Sequence, residues 1–522
     1  MTKKTKSNRP NRAGGKAARP DKVKIRQLQT GVRGLDEILG GGLPEFSFNI
    51  IAGTPGCGKT TLAHQFVFAN ATRQRPALYF TVLGEPAIKM LRYQQQYSFF
   101  DDAKLPEAIR FINLSETVVE KDLNAVLAQI EHEVKTAEPG VVVVDSFRSV
   151  LRKKPSGGIE EMELQSFIER LGMLLTSYEA TTFLIGEYTE SEMRDNPVFT
   201  VADGILWLSQ IAERNSVVRK LQVIKLRGQA SVPGLHTIRI GRDGVQAFSR
   251  MQGLLVAPRR HSGQRLSVGI PQLDELLGGG IRAGDSVLLA GPSGTGKSVI
   301  ATQFITAGLR KREGGIIVVF EERPLQYALR AASFGLDLDG PRKAGLLEIL
   351  YLRPLDLSVD ETMQEILEAV KRTKAKRLVI DSLVGFEMAL APGFRTDFRE
   401  SLYRMIAALT GAGVTIISTV EIEDKFTAFQ FSHYAISFLT DDIIRMRYVE
   451  IDGQLRKVLA VVKARGSNHS KDIREYIIDE RGIVFIEPHR TDYTQLTSGL
   501  PQRVGERKDL APEPKGKGKA SR

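Results

Sequence analysis

Two octets in this chain have the residue types and spacing to hold a nucleoside triphosphate: Gly53-Thr54-Pro55-Gly56-Cys57-Gly58-Lys59-Thr60 and Gly291-Pro292-Ser293-Gly294-Thr295-Gly296-Lys297-Ser298, set 238 residues apart. In such a loop the glycines let backbone N–H groups wrap the phosphates, the lysine reaches the β and γ oxygens, and the terminal hydroxyl serves as a Mg²⁺ ligand. With Thr61 and Val299, the first residues past each octet, they make two candidate ATP sites.

Turnover of a triphosphate needs further groups. A second metal anchor is expected from an Asp closing a buried strand, and Val141-Val-Val-Val-Asp145 and Arg377-Leu-Val-Ile-Asp381 supply it twice, with water between carboxylate and ion. The metal set is then Thr60 and Asp145, and Ser298 and Asp381. A carboxylate must also orient or deprotonate the attacking water. The strand Ile316–Phe320 runs into Glu321-Glu322, and because alternate strand residues face opposite ways, one of the two faces the phosphates. The same offset in the first half lands on Val82, with Glu85 the carboxylate available there, one or two positions late. Finally, Lys225-Leu-Arg227 and Lys463-Ala-Arg465 follow alternating strands, and a spacing of two puts each pair on one strand face. They read either as a solvated charge face or as a clamp on the γ-phosphate of a neighbouring subunit.

The elements that must position these residues are legible as well. Asn49–Ala52 and Ser286–Ala290 read as buried strands feeding the loops, and amphipathic helices follow, marked by Leu62, Phe66 and Ala69 and by Ile300, Phe304 and Ala307. The repeat reaches further, from Leu35-Asp36-Glu37 and Leu273-Asp274-Glu275 upstream to Arg227-Gly228 and Arg465-Gly466 downstream. One period through distant motifs means duplicated domains. That overrides the roughly three or four domains suggested by length alone. The division expected is a basic arm over 1–26, a first ATPase domain over 27–248, a linker over 249–264, a second ATPase domain over 265–490 and a basic tail over 491–522.

The net charge of +12 is concentrated in the arms. Residues 1–26 carry ten Lys/Arg against one Asp, and residues 501–522 carry seven against three acids, which leaves the rest near −1. The arms have no apolar periodicity and read as disordered, so nucleic acid contact is expected only through them. Cys57 is the single cysteine, which excludes an internal disulfide and a cysteine-based zinc site. No apolar run approaches the roughly 18 residues of a membrane span, and no apolar segment backs the N-terminal charges. The expected setting is cytoplasmic.

In this order, these residues resemble the KaiC branch of the RecA-like ATPases. The match runs from the Gly40-Gly41-Gly42 entry through both phosphate loops, Phe320-Glu321-Glu322, both Asp-Ser strands and both Lys-x-Arg-Gly signatures to Ser467-Asn468-His469. The resemblance implies an α/β fold of two tandem RecA-like P-loop domains, each a mostly parallel sheet flanked by helices. It also implies a double-ring homo-hexamer with ATP at subunit interfaces, ATPase activity in the first domain, and ATPase and Ser/Thr autokinase activity in the second. The expected cofactors are ATP and Mg²⁺, and a protein signalling partner of unknown identity is expected. The family's adjacent Ser-Thr acceptor pair falls on Ser437-Phe438 and a nearby third acceptor on Ser432. Ser437 and Ser432 are therefore the candidate phosphoacceptors, without the pair that a two-site cycle requires. A DNA-acting RecA-like ATPase is the alternative, disfavoured by the near-neutral core.

Overall fold

The computed structural model describes residues 25–82, 87–120, 123–147, 161–213, 216–250, 263–352, 357–390, 395, 398–422, 439–451, 453–486, 493–494 and 502–503. Glu85, Ser432, Ser437 and most of both basic arms lie outside them.

Two nine-stranded sheets carry the molecule, and their strand orders are the same. In the first, Phe48–Gly53 lies between Thr181–Glu187 and Gly204–Glu213. Val141–Asp145, Ala77–Thr81 and Ile109–Asn113 continue the parallel run on one side. On the other side Ser216–Leu226, Leu235–Gly241 and Gly244–Phe248 add an antiparallel meander. The second sheet repeats this around Ser286–Gly291, flanked by Thr415–Glu421 and Asp442–Ile451. The expected α/β class and tandem RecA-like architecture are what the chain adopts.

Strand alternation divides each core between the two sheet faces. Val142 and Val144 join Ile50, Leu78 and Phe80 on one face, whereas Val141 and Val143 join Ile51, Tyr79, Leu62 and Phe66 on the face covered by the phosphate-loop helix. Asp145, two residues past Val143, therefore emerges on the helix side. The same parity puts Asp381 on the side of Val379, Ile300 and Phe304. Each such side chain contributes about 1.5–3 kcal/mol on burial, so a one-residue slip of register would be strongly resisted.

The loop helices, Lys59–Asn70 and Lys297–Leu309, differ from the amphipathic reading. Val299 through Leu309 are all buried, and in the first helix Leu62 through Phe68 are buried without interruption. The cause is the end of the meander, which folds over the outer face of the helix. Gln65 Oε1 accepts from Val245 N at 2.7 Å, and Gln303 Oε1 accepts from Ile483 N at 3.2 Å. A Cβ on Gly244 or Gly482 would stand 2.6 or 2.7 Å from that glutamine, so each lock needs its glycine. Leaving such a buried amide unpaired costs about 1–3 kcal/mol.

The two units meet through charge: Arg33 pairs with Glu368, and Arg239 with Glu361, at 2.5 Å in both cases. No helix among the described residues is long and apolar enough to cross a membrane.

Candidate functional site

Both phosphate loops sit at the carboxyl end of the central parallel strand, where α/β sheets open a crevice for ligands. Gly58 and Gly296, with φ of 102° and 94°, turn the chain into the helix. Gly53 and Gly291 lie so close to the next strand that a Cβ would fall 1.8 Å from Leu208 O or 2.5 Å from Met446 O. The loops are therefore bare backbone cradles backed by a strand. Lys59 Nζ donates to Gly53 O at 3.1 Å and Thr54 O at 2.8 Å, and Lys297 Nζ to Gly291 O at 2.9 Å and Pro292 O at 2.7 Å. Each ammonium thus stands over its own loop. Burial lowers the pKa of Lys297, against the raising effect of Glu421 and Asp381.

At the first site Thr60 Oγ1 donates to Asp145 Oδ2 at 2.9 Å, and Tyr79 OH donates to the same oxygen at 2.7 Å. Burial raises the Asp145 carboxyl pKa, and the two donors oppose that shift. A threonine that gives its proton to a carboxylate turns its lone pairs outward. A hydroxyl oxygen, with a carboxylate that reaches the ion through water, beside a backbone phosphate cradle would be the hard donors that Mg²⁺ takes. The residues present fit that ion. They line a cleft of about 630 Å³ together with Gly56, Gly58, Thr61, Ser146, Glu187 and Arg219.

The second site has different groups around the same frame. Asp381 Oδ1 accepts from Thr419 Oγ1 at 2.6 Å. Glu322 is committed to Arg330, which donates from Nη2 at 2.7 Å and lies over the Tyr327 ring. Glu321 is exposed, with Ser382 Oγ 3.4 Å from its Oε1. Ser382 in turn caps the helix Leu383–Ala389 by accepting from Gly385 N at 3.0 Å. Of the glutamate pair, Glu321 is thus the one placed beside Asp381-Ser382. Its first-half counterpart, Glu85, lies outside the described residues.

Two carboxylates were missed by the sequence reading. Glu187 and Glu421 end the strands next to the loops, in register with Gly53 and Gly291. Glu187 lies two residues past Ile185, whose side chain packs on the loop-helix face. That parity was the available signal, and Glu187 consequently faces the first cleft.

The Lys-x-Arg pairs lie elsewhere. Lys225 pairs with Ile205, beside Gly204, which is in register with Asn49 at the start of the loop strand. Ile205 itself is in register with Ile50, so Lys225 stands three residues, about 10 Å, along the strand from Gly53, and Arg227 lies two residues further on. A bulge at Ile224, repeated at Val462, breaks the alternation just before each pair, and the strand ends at Leu226. One flat strand face does not therefore describe them. Lys225 Nζ donates to Thr200 O at 3.0 Å, and Lys463 Nζ to Thr440 O at 2.5 Å. Arg227 pairs with Asp203 at 3.1 Å and Arg465 with Asp441 at 3.7 Å. Those aspartates also accept from the first amides of the loop strands, Phe48 N at 3.1 Å and Ser286 N at 3.0 Å. Burial lowers the pKa of both lysines, and the neighbouring arginines lower it further.

A phosphate cradle at the end of a central parallel strand, an Asp on the helix-facing side of a nearby strand and a strand-end glutamate define a RecA-like P-loop ATPase. Residues 28–252 and 266–490 each match the family model described as ATPase: KaiC. The chain belongs to the KaiC family of ATP-binding ATPases. It is 30% identical over 505 residues to the circadian clock oscillator protein KaiC 1 of Synechocystis, covering 93% of this chain and 94% of that protein. Identity is again 30% to the circadian clock oscillator protein KaiC of Rippkaea orientalis, with 92% of each chain covered. Against that of Prochlorococcus marinus strain MIT 9313 it is 28%, covering 92% of this chain and 97% of that protein.

Proposed function

We propose that this KaiC-family ATPase works as an ATP-driven hexameric switch, with nucleotide held between subunits at two tiers. The observation that supports it most is the placement of Lys225, Arg227, Lys463 and Arg465 at the far end of the loop strand from their own phosphate loop. Cations so placed reach a γ-phosphate only if another subunit brings it. The tiers are residues 27–248 and 265–490, joined by 249–264. Mg²⁺, held at Thr60 with Asp145 and at Ser298 with Asp381, would neutralise charge on the β and γ oxygens. Lys59 and Lys297 bind and orient those oxygens. Glu321 takes the proton of the attacking water, or of a serine hydroxyl, while Arg330 holds Glu322 aside.

In this reading the second tier is also a Ser/Thr autokinase with Ser437 as acceptor and Ser432 as the alternative. A phosphoserine brings nearly two negative charges, enough to change the affinity of a cytoplasmic protein partner. Nucleic acid is met only by the basic arms. Protein incubated with Mg-ATP should run as a hexamer in native mass spectrometry and carry phosphate on Ser437 that is lost in Ser437→Ala. A monomer loaded with ATP contradicts the assembly, and prolonged incubation without label leaves an ATPase that is not a kinase.

A further inference from the structure

Beneath the first phosphate loop lies a buried constellation that the second half does not repeat. His64 sits one helical turn after Thr60, and its Nδ1 is 2.7 Å from Thr60 O. A carbonyl oxygen only accepts, so Nδ1 carries the proton. Burial lowers the imidazole pKa to about 4, which keeps the ring neutral, and Nε2 is buried with no hydrogen-bond partner. The ring is stacked on Tyr79, centroids 4.6 Å apart with planes 20° from parallel, and Phe111 packs on both at 6.0 and 5.2 Å. His64 and Tyr79 are each wholly buried. The Tyr79 ring packs against both of the others, and its hydroxyl points to Asp145 Oδ2, the oxygen that Thr60 also contacts.

The same offset carries His64 onto Thr302 and Tyr79 onto Ile317. Thr302 Oγ1 donates to Ser298 O at 2.7 Å, replacing the His64 contact, but Ile317 has no hydroxyl. Asp381 instead receives Thr419, from the strand on its other side. Each candidate metal carboxylate is therefore oriented by its own donor: a stacked phenol in the first tier, a strand threonine in the second.

We propose that Tyr79, held in orientation by His64, is a positioning residue for the metal end of the first ATP site and that Thr419 has this task in the second, so that the two tiers load Mg²⁺ independently. The inference rests on the reading of both loops as Mg-ATP sites. Outer partners that orient the groups around a bound metal typically account for about 10–100-fold in metal affinity. Removing the Tyr79 hydroxyl also leaves a buried carboxylate with one donor fewer, which costs charge stabilisation there and nowhere else.

The test uses the full chain and the Mg²⁺ concentration needed for half-maximal binding of a fluorescent ATP analogue. The first tier is read in a Lys297→Ala chain and the second in a Lys59→Ala chain. Tyr79→Phe keeps the ring and its stack, and should raise the Mg²⁺ requirement of the first tier about 10-fold or more. Analogue affinity at saturating Mg²⁺ should stay unchanged, which a general loss of structure would not allow. Thr419→Val should give the mirror result in the second tier. An unchanged Mg²⁺ requirement in Tyr79→Phe with binding intact overturns the proposal, as does an equal shift in both tiers. Loss of all binding in the parent Lys297→Ala chain overturns the first site itself, and this inference with it.

Discussion

The first and second ATP sites share a backbone and differ in the side chains at its catalytic edge. Identical in both are the glycine cradle, the Asp closing the third parallel strand, the Gln65 and Gln303 locks and the Asp203 and Asp441 clamps. Different are the donor to the candidate metal carboxylate, Tyr79 against Thr419, and the groups bracing the loop. Arg219 Nε donates to Gly56 O at 3.3 Å in the first, whereas Tyr476 OH donates to Thr295 O at 2.7 Å in the second. The shared features hold backbone amides and carbonyls, which any copy of the fold must satisfy. The divergent ones reach a carboxylate or a loop carbonyl from different strands, so one group can stand in for another while the sheet stays the same. A duplicated scaffold can thus carry two chemistries without altering its sheet.

The largest expected effect tests what the halves have in common. Arg227 and Arg465 both lie at the far end of their loop strands, so each should act on a neighbour's nucleotide and contribute about 10³-fold or more to turnover. In mixed rings, a subunit lacking Lys297 but retaining Arg465 should restore turnover to a subunit carrying Arg465→Ala. Absence of rescue at every mixing ratio would make the two cations local structural charges.

A smaller effect sharpens the contrast inside the second site. Glu321→Gln should keep ATP bound and lower second-tier turnover about 10²-fold or more, because an amide cannot accept the proton. Glu322→Gln should cost much less, since Glu322 is engaged by Arg330. Steady-state rates with nucleotide occupancy decide the matter. Equal losses in the two variants would mean that the pair acts as a unit, against the assignment of Glu321.

The sequence carried the loops, Asp145, Asp381 and the period because these follow from short-range rules: glycine backbone freedom, strand parity and self-similarity. For the second site it also narrowed the candidate base to Glu321 or Glu322. Which of them stands near Asp381 depends on Arg330, eight residues on, and on Ser382, brought in by a neighbouring strand. Tyr79, Thr419, Glu187 and Glu421 escaped notice because strand order, not spacing, brings them to the sites. The bulges at Ile224 and Val462 defeated the simple alternation, and the meander covering the loop helices defeated the amphipathic reading. The bulges are register shifts between strands that pair only about twenty residues apart, whereas the cover over the helices depends on contacts more than a hundred residues apart, as with Gln65 and Val245.

The central claim, two separate ATP sites in one chain, is tested most directly by counting bound nucleotide per chain at saturating Mg-ATP analogue. The intact protein should hold two, Lys59→Ala and Lys297→Ala one each, and the double variant none, because backbone donors alone hold the β and γ charge poorly. Two nucleotides per chain in the double variant would contradict the assignment of both loops.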